Sequence, residues 1–180
     1  MENLLIAGFS TIVDLVRKKN AGLSSHLTDV QRADMTAQMA VIDNILRRVE
    51  QYIVWLHNET YSVVTKIRFG SIYKWPLSSV LPILKRREMR TKLGDIEWAD
   101  KSLSEVMELA DKAFRCLSSQ LGTQEYLMGT RPTEADALLF GHLFAILTTR
   151  LPTMELSNAL RKYQNLVEFT ERVEEEYFKK

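Results

Sequence analysis

The stretch Arg131-Pro132-Thr133-Glu134-Ala135-Asp136-Ala137-Leu138-Leu139-Phe140-Gly141-His142-Leu143-Phe144-Ala145-Ile146-Leu147 decides the fold class. Thr133 is the natural N-cap of a helix, because its hydroxyl can serve a backbone N–H left without a partner in the first turn. Asp136, three residues on, reaches back to the N–H of Thr133, and its charge meets the positive end of the helix dipole. Behind the cap, Ala135 to Leu147 is apolar almost all round, the pattern of a helix at the centre of a bundle. The run from Ala137 is about half of the roughly 20 residues that a membrane span requires, and it contains His142.

The neighbouring segments read as helices too. On the C-terminal side, Pro152 and Thr153 open a short one. Asn165 is expected to cap the last, with Leu166, Phe169, Val173 and Tyr177 facing inward. On the N-terminal side, Ser102-x-x-Glu105 is a capping box, and Leu103, Val106, Ala110, Ala113, Phe114, Leu117 and Leu121 keep helical spacing until Gly122. Ser79 to Leu93 predicts a helix in which Pro82 falls within the first turn. Before it, a shorter helix around Tyr61 to Arg68 is broken by Phe69-Gly70-Ser71-Ile72-Tyr73-Lys74-Trp75-Pro76, whose rings are expected to pack onto neighbouring helices. Thr28 caps a long helix marked by Ile42, Ile45, Leu46, Val49, Tyr52, Ile53 and Leu56.

At the start, Asn3 to Ile6 reads as the end of a strand whose partners lie elsewhere. A helix through Phe9, Ile12, Val13 and Val16 follows and stops after Arg17-Lys18-Lys19 at Asn20-Ala21-Gly22. The sum is seven or eight helices joined by short loops, an all-α bundle with roughly antiparallel neighbours.

Composition fits one domain that can bury a substantial core without disulfides or metals: 180 residues, 46% apolar and 26% charged. The 24 Lys and Arg nearly balance 23 Asp and Glu, so no net field points to nucleic acid. One cysteine, Cys116, rules out an internal disulfide and fits a reducing compartment. No targeting signal stands out, and the chain reads as soluble, held at any membrane through other proteins.

Candidate sites are few. His26, His57 and His142 are scattered, with no His-x-x-x-His or Cys-x-x-Cys pair, so neither a metal nor a cofactor is expected. Cys116 could be a nucleophile only beside a base; its place next to Leu117 on a helix predicts a buried or half-buried thiol instead. His142 is expected to be a core imidazole bonded to a backbone carbonyl. Asp136 could be read as a catalytic carboxylate, but its spacing from Thr133 gives both residues a structural capping role. Met35, Met39, Met107 and Met128 read as core filler. One charge cluster, Lys85-Arg86-Arg87 with Arg90 and Lys92, could meet an acidic partner or anionic headgroups, and could equally be a solvated helix face. On the first view, Arg86 and Arg87 can both be reversed to Glu without unfolding the protein.

The cap and the helix behind it, Pro132, Thr133, Asp136, Ala137 and Leu138, resemble the folding motif of the glutathione-transferase C-terminal domain. Within that superfamily the chain most resembles the metaxins, and among them the type without a membrane-spanning tail. Four stretches carry the likeness: Arg68-Phe69-Gly70-Ser71 with Tyr73 and Trp75-Pro76-Leu77; Leu121-Gly122-Thr123-Gln124 with Tyr126; Pro132 to Thr149; and Tyr163, Asn165-Leu166 and Tyr177-Phe178.

The resemblance implies a glutathione-transferase C-terminal-like domain over residues 23–180. Residues 1–22 would be the last strand and helix of a thioredoxin-like domain. It implies a non-enzymatic scaffold peripheral to the cytosolic face of the mitochondrial outer membrane. Such a protein pairs with the membrane-anchored metaxin, supports the machinery that inserts β-barrel proteins, and is linked through its family to motor-adaptor proteins. The rival readings are a glutathione-dependent transferase and a transferase-like module of another assembly. Against the first, the positions that would grip glutathione fall near Ala7 and Gly8, whose side chains cannot hold it. The loss of a neighbouring half-domain would also bare an apolar surface and favour self-association through residues 3 to 19.

Overall fold

The computed structural model describes residues 8–19 and 21–179, so the strand end expected at Asn3 to Ile6 lies outside the described residues. Among them are eight helices and no strand. Helix α1 is Phe9–Lys18, and a single 3-10 turn, Leu23–His26, follows it. Helix α2 starts at Asp29–Val41 and runs on through Ile42–Leu46, Arg47–Gln51 and Tyr52–Leu56. Helix α3 comprises Asn58–Thr60, Tyr61–Thr65 and Lys66–Gly70. The others are α4, Leu77–Gly94; α5, Leu103–Leu121; α6, Glu134–Thr148; α7, Glu155–Leu160; and α8, Gln164–Tyr177.

The core forms where α2, α5, α6, α7 and α8 meet. Met35, Ile42 and Leu46 of α2 pack with Phe114 and Leu117 of α5, Leu139 and Leu143 of α6, and Phe169 of α8, all at or near full burial. Each such Leu or Phe contributes about 1.5–3 kcal/mol by leaving water. Helix α6 touches α2, α7 and α8. Its Ala137, Gly141 and Ala145 are exposed, so the helix is buried on one broad face and not all round.

Three turns of α2 and α3, Ile42–Leu46, Tyr52–Leu56 and Tyr61–Thr65, are wound as π-helix. A π turn shifts the register of the helix by inserting a residue, which an apolar periodicity of three and four does not announce. The helix break falls at His57, whose extended ψ of 117° ends α2.

Several local expectations are corrected. Helix α4 begins at Leu77 after Pro76, which puts Pro82 in its second turn and not its first. Pro82 has no N–H for the carbonyl of Ser78. That carbonyl lies instead against Gly70 of α3, where an added Cβ would stand 2.4 Å from the Ser78 oxygen. Asn165 does not cap α8. Its amide donates to the carbonyls of Ser118 and Gly122 at the end of α5, at 2.9 and 3.1 Å, and so caps a different helix from the one it belongs to. The rings at the α3–α4 turn do not all pack down: Phe69 sits edge-on to Trp55, but Trp75 is 83% exposed and Ile72 74%.

Candidate interaction surface

Most of the polar side chains that sequence reading singles out serve helix ends. Thr133 and Asp136 form a capping box at α6. The buried Asp136 carboxylate accepts from the Thr133 N–H at 2.8 Å, the Thr133 hydroxyl at 2.7 Å and the Leu127 N–H at 2.7 Å. It thereby ties the preceding loop to the helix. Burial pushes its carboxyl above the usual aspartate range, against the pull of those hydrogen bonds. Glu105 does the same task in the open at α5, where bonds from Ser102 hold its carboxyl below the usual range. Glu134, also buried, accepts from the Ser24 hydroxyl at 3.1 Å and lies 3.5 Å from the Arg17 guanidinium, joining α1 and the 3-10 turn to α6.

The α2–α3 break is where the sequence was least informative. Its last carbonyls have no helical partners, and the fold supplies them from a distance. The Thr65 hydroxyl donates to Val54 O at 2.6 Å. Arg86 Nε donates to Trp55 O at 2.9 Å, and its Nη2 to Leu56 O at 3.1 Å and Asn58 Oδ1 at 2.6 Å. The same guanidinium lies 4.1 Å from the centre of the Tyr61 ring. A cation at a helix C-terminus also meets the negative end of its dipole. His57 caps the start of α3, its Nδ1 accepting from the Thr60 N–H at 3.4 Å.

The basic cluster therefore comes apart. Arg86 is a structural clamp, and the view that it can be reversed like Arg87 does not hold. Lys85 and Lys92 both pair with Glu88, at 3.0 and 2.6 Å. Arg87 and Arg90 remain exposed, without an ion-pair partner among the described residues. Two further expectations fail. Cys116 is exposed, because its neighbours Ala113 and Leu117, not the thiol, face the core. His142 is half-buried and meets the Glu50 carboxylate of α2 at 2.8 Å, not a backbone carbonyl.

The surface that sequence reasoning missed is the α3–α4 hairpin. Residues 57–92 contribute no side chain to the main core. Yet Val63, Ile67, Ile72, Trp75, Leu77, Val80, Ile83 and Leu84 are all exposed, and Tyr73 is partly so. On α4 the inward positions are Pro82, Met89 and Leu93. The outward ones run Leu77, Val80, Ile83 and Leu84 and continue into Arg87 and Arg90. A signal existed: residues 61–87 contain no Asp or Glu.

An all-helical bundle built around a buried N-capping box and the helix behind it is the glutathione-transferase C-terminal type, and a family model described as "Glutathione S-transferase, C-terminal domain" matches residues 110–173. A second model, "Outer mitochondrial membrane transport complex protein", matches residues 2–86 and so crosses the boundary expected at residue 22. The chain is 55% identical over 146 residues to a metaxin-2 homolog of Caenorhabditis elegans, covering 81% of this chain and 64% of that one. It is 41% identical over 176 residues to metaxin-2 of Mus musculus, covering 98% and 67%, and 29% identical over 173 residues to metaxin-1 of Mus musculus, covering 93% and 55%. The chain belongs to the metaxin family. It spans about two thirds of the length of its metaxin-2 relatives. No solved structure matches it.

Proposed function

We propose that this chain is a non-enzymatic scaffold subunit at the cytosolic face of the mitochondrial outer membrane. There it pairs with a membrane-anchored metaxin and supports the machinery that inserts β-barrel proteins. The observation that carries the reading is the likeness to metaxin-2, which runs through 98% of the chain, hairpin and bundle alike. The second family model adds a membrane transport complex as the setting.

The polar chemistry supports a scaffold over a catalyst. Asp136, Glu105, His57 and Arg86 are each occupied in holding a helix end. Partner recognition would then rest on exposed apolar area with a polar rim. No described helix is long and apolar enough to cross a membrane, which is consistent with a peripheral place.

The test is a pull-down of the tagged chain from detergent-solubilised mitochondria, read by mass spectrometry. Recovery of the membrane-anchored metaxin together with β-barrel assembly subunits is expected. A folded chain that recovers neither removes the reading.

A further inference from the structure

Charge is segregated along this chain. Residues 61–87 hold Lys66, Arg68, Lys74, Lys85, Arg86 and Arg87 and no acid, so the remainder is net negative although the whole is +1. The same segment exposes nine large apolar side chains, more than half of those exposed among the described residues. Helix α3 leads into the turn that carries Ile72, Tyr73 and Trp75, and α4 leads away from it.

The order along α4 gives the segment a direction. Leu77 to Leu84 covers about 10 Å at 1.5 Å per residue, and its outward positions are apolar. Arg87 and Arg90 begin one turn later on the same side. An apolar surface that enters a bilayer interface reaches a depth of about 5–10 Å. Trp and Tyr favour that zone, and long cations reach from it to phosphates. A contiguous exposed apolar surface of this kind marks an interaction site. The charged side chains of residues 61–87 are all cationic, and the adjacent Glu88 is taken up by Lys85 and Lys92, so the rim that Arg87 and Arg90 leave free selects an anionic partner surface.

We infer that the α3–α4 hairpin docks directly into an anionic lipid surface. Ile72, Tyr73, Trp75 and Leu77 enter the interface, while Lys66, Arg68, Arg87 and Arg90 meet the lipid phosphates. This goes beyond the scaffold reading, in which the chain reaches the membrane through partner proteins.

Purified full chain and vesicles, with no partner protein, provide the test. Trp75 is the one exposed tryptophan; Trp98 is buried and Trp55 half-buried against Phe69. Vesicles of phosphatidylcholine with about one fifth phosphatidylserine, an anionic surface that attracts Lys and Arg, should shift the Trp75 emission to the blue and float the protein. Pure phosphatidylcholine should do so only weakly, and added salt should reverse the binding. Ile72→Ser with Trp75→Ser should abolish flotation. Arg87→Glu with Arg90→Glu should weaken it at least about twentyfold, at about fivefold per cation lost. All four side chains are exposed, so unchanged melting by circular dichroism confirms that the variants fold. A wild-type chain that stays off anionic vesicles at low salt overturns the inference, as do folded variants that bind like wild type. Shielding of Trp75 by a partner protein but never by vesicles would also overturn it and give the surface to that protein. Success or failure here is independent of the mitochondrial pull-down.

Discussion

At the scale of single residues, Arg86 and Arg87 are adjacent cations with opposite duties. Arg86 bonds two carbonyls at the end of α2 and the Asn58 side chain, and lies over Tyr61. Removing it leaves the carbonyls of Trp55 and Leu56 without those bonds, and the Thr65 hydroxyl at the same break serves Val54 O instead. Arg86→Ala should therefore destabilise the protein by about 2–3 kcal/mol, the scale of hydrogen bonds to a charged group combined with the dipole effect. Arg87→Ala touches no such feature and should stay within about 0.5 kcal/mol. Urea unfolding followed by circular dichroism measures both, and equal midpoints for the two variants would remove the clamp. Nothing local in Lys85-Arg86-Arg87 distinguishes the middle residue, because its partners lie about thirty positions earlier. His142 and Glu50 are separated still further. Cys116 was misplaced for a different reason: an apolar neighbour in sequence is one hundred degrees away on a helix, so it says little about which way a thiol points.

At the scale of elements, helical periodicity located the long helices, a Pro-Thr start signal pointed to the short α7, and local capping chemistry marked the starts of α2 and α5, where donor and acceptor are three residues apart. Features set by a second element were not legible. Pro82 is tolerated in the second turn of α4 because the Ser78 carbonyl that it leaves free faces Gly70 across the hairpin. Gly70 is helical, and helix propensity alone would favour Ala there by about 1 kcal/mol. The clash that an added Cβ would make with the Ser78 backbone oxygen outweighs that. Gly70→Ala should destabilise by about 1–3 kcal/mol, as overpacking does. Gly141, which has open space around it, supplies the control. In thermal melts of the two variants side by side, Gly141→Ala should be neutral or stabilising by up to about 1 kcal/mol. A stabilised Gly70→Ala protein would show that α3 and α4 are not held this closely.

At the scale of the whole molecule, the question is how firmly the N-terminal segment belongs to the bundle. A boundary at residue 22 would make α1 a fragment of another domain, yet the link it makes is specific. Phe9 and Val13 turn toward the bundle, and Arg17 reaches a Glu134 carboxylate that is itself buried and bonded to Ser24. Glu134 also stands in the first turn of α6, next to the capping box, so the N-terminal segment is fastened at the same helix end that organises the bundle. A buried carboxylate is costly unless its partners compensate, which makes the contact with Ser24 and Arg17 a joint condition for both segments. Glu134→Ala should loosen α1 while leaving the α6 cap, built on Thr133 and Asp136, in place. The readout is limited trypsin digestion, since Arg17, Lys18 and Lys19 are exposed cleavage points in or beside α1. The variant should be cut there several-fold faster than wild type, with the bundle from α2 onward surviving as a stable product. Uniform degradation would mean that Glu134 supports the bundle itself, and unchanged cleavage would mean that α1 is held by its apolar face alone.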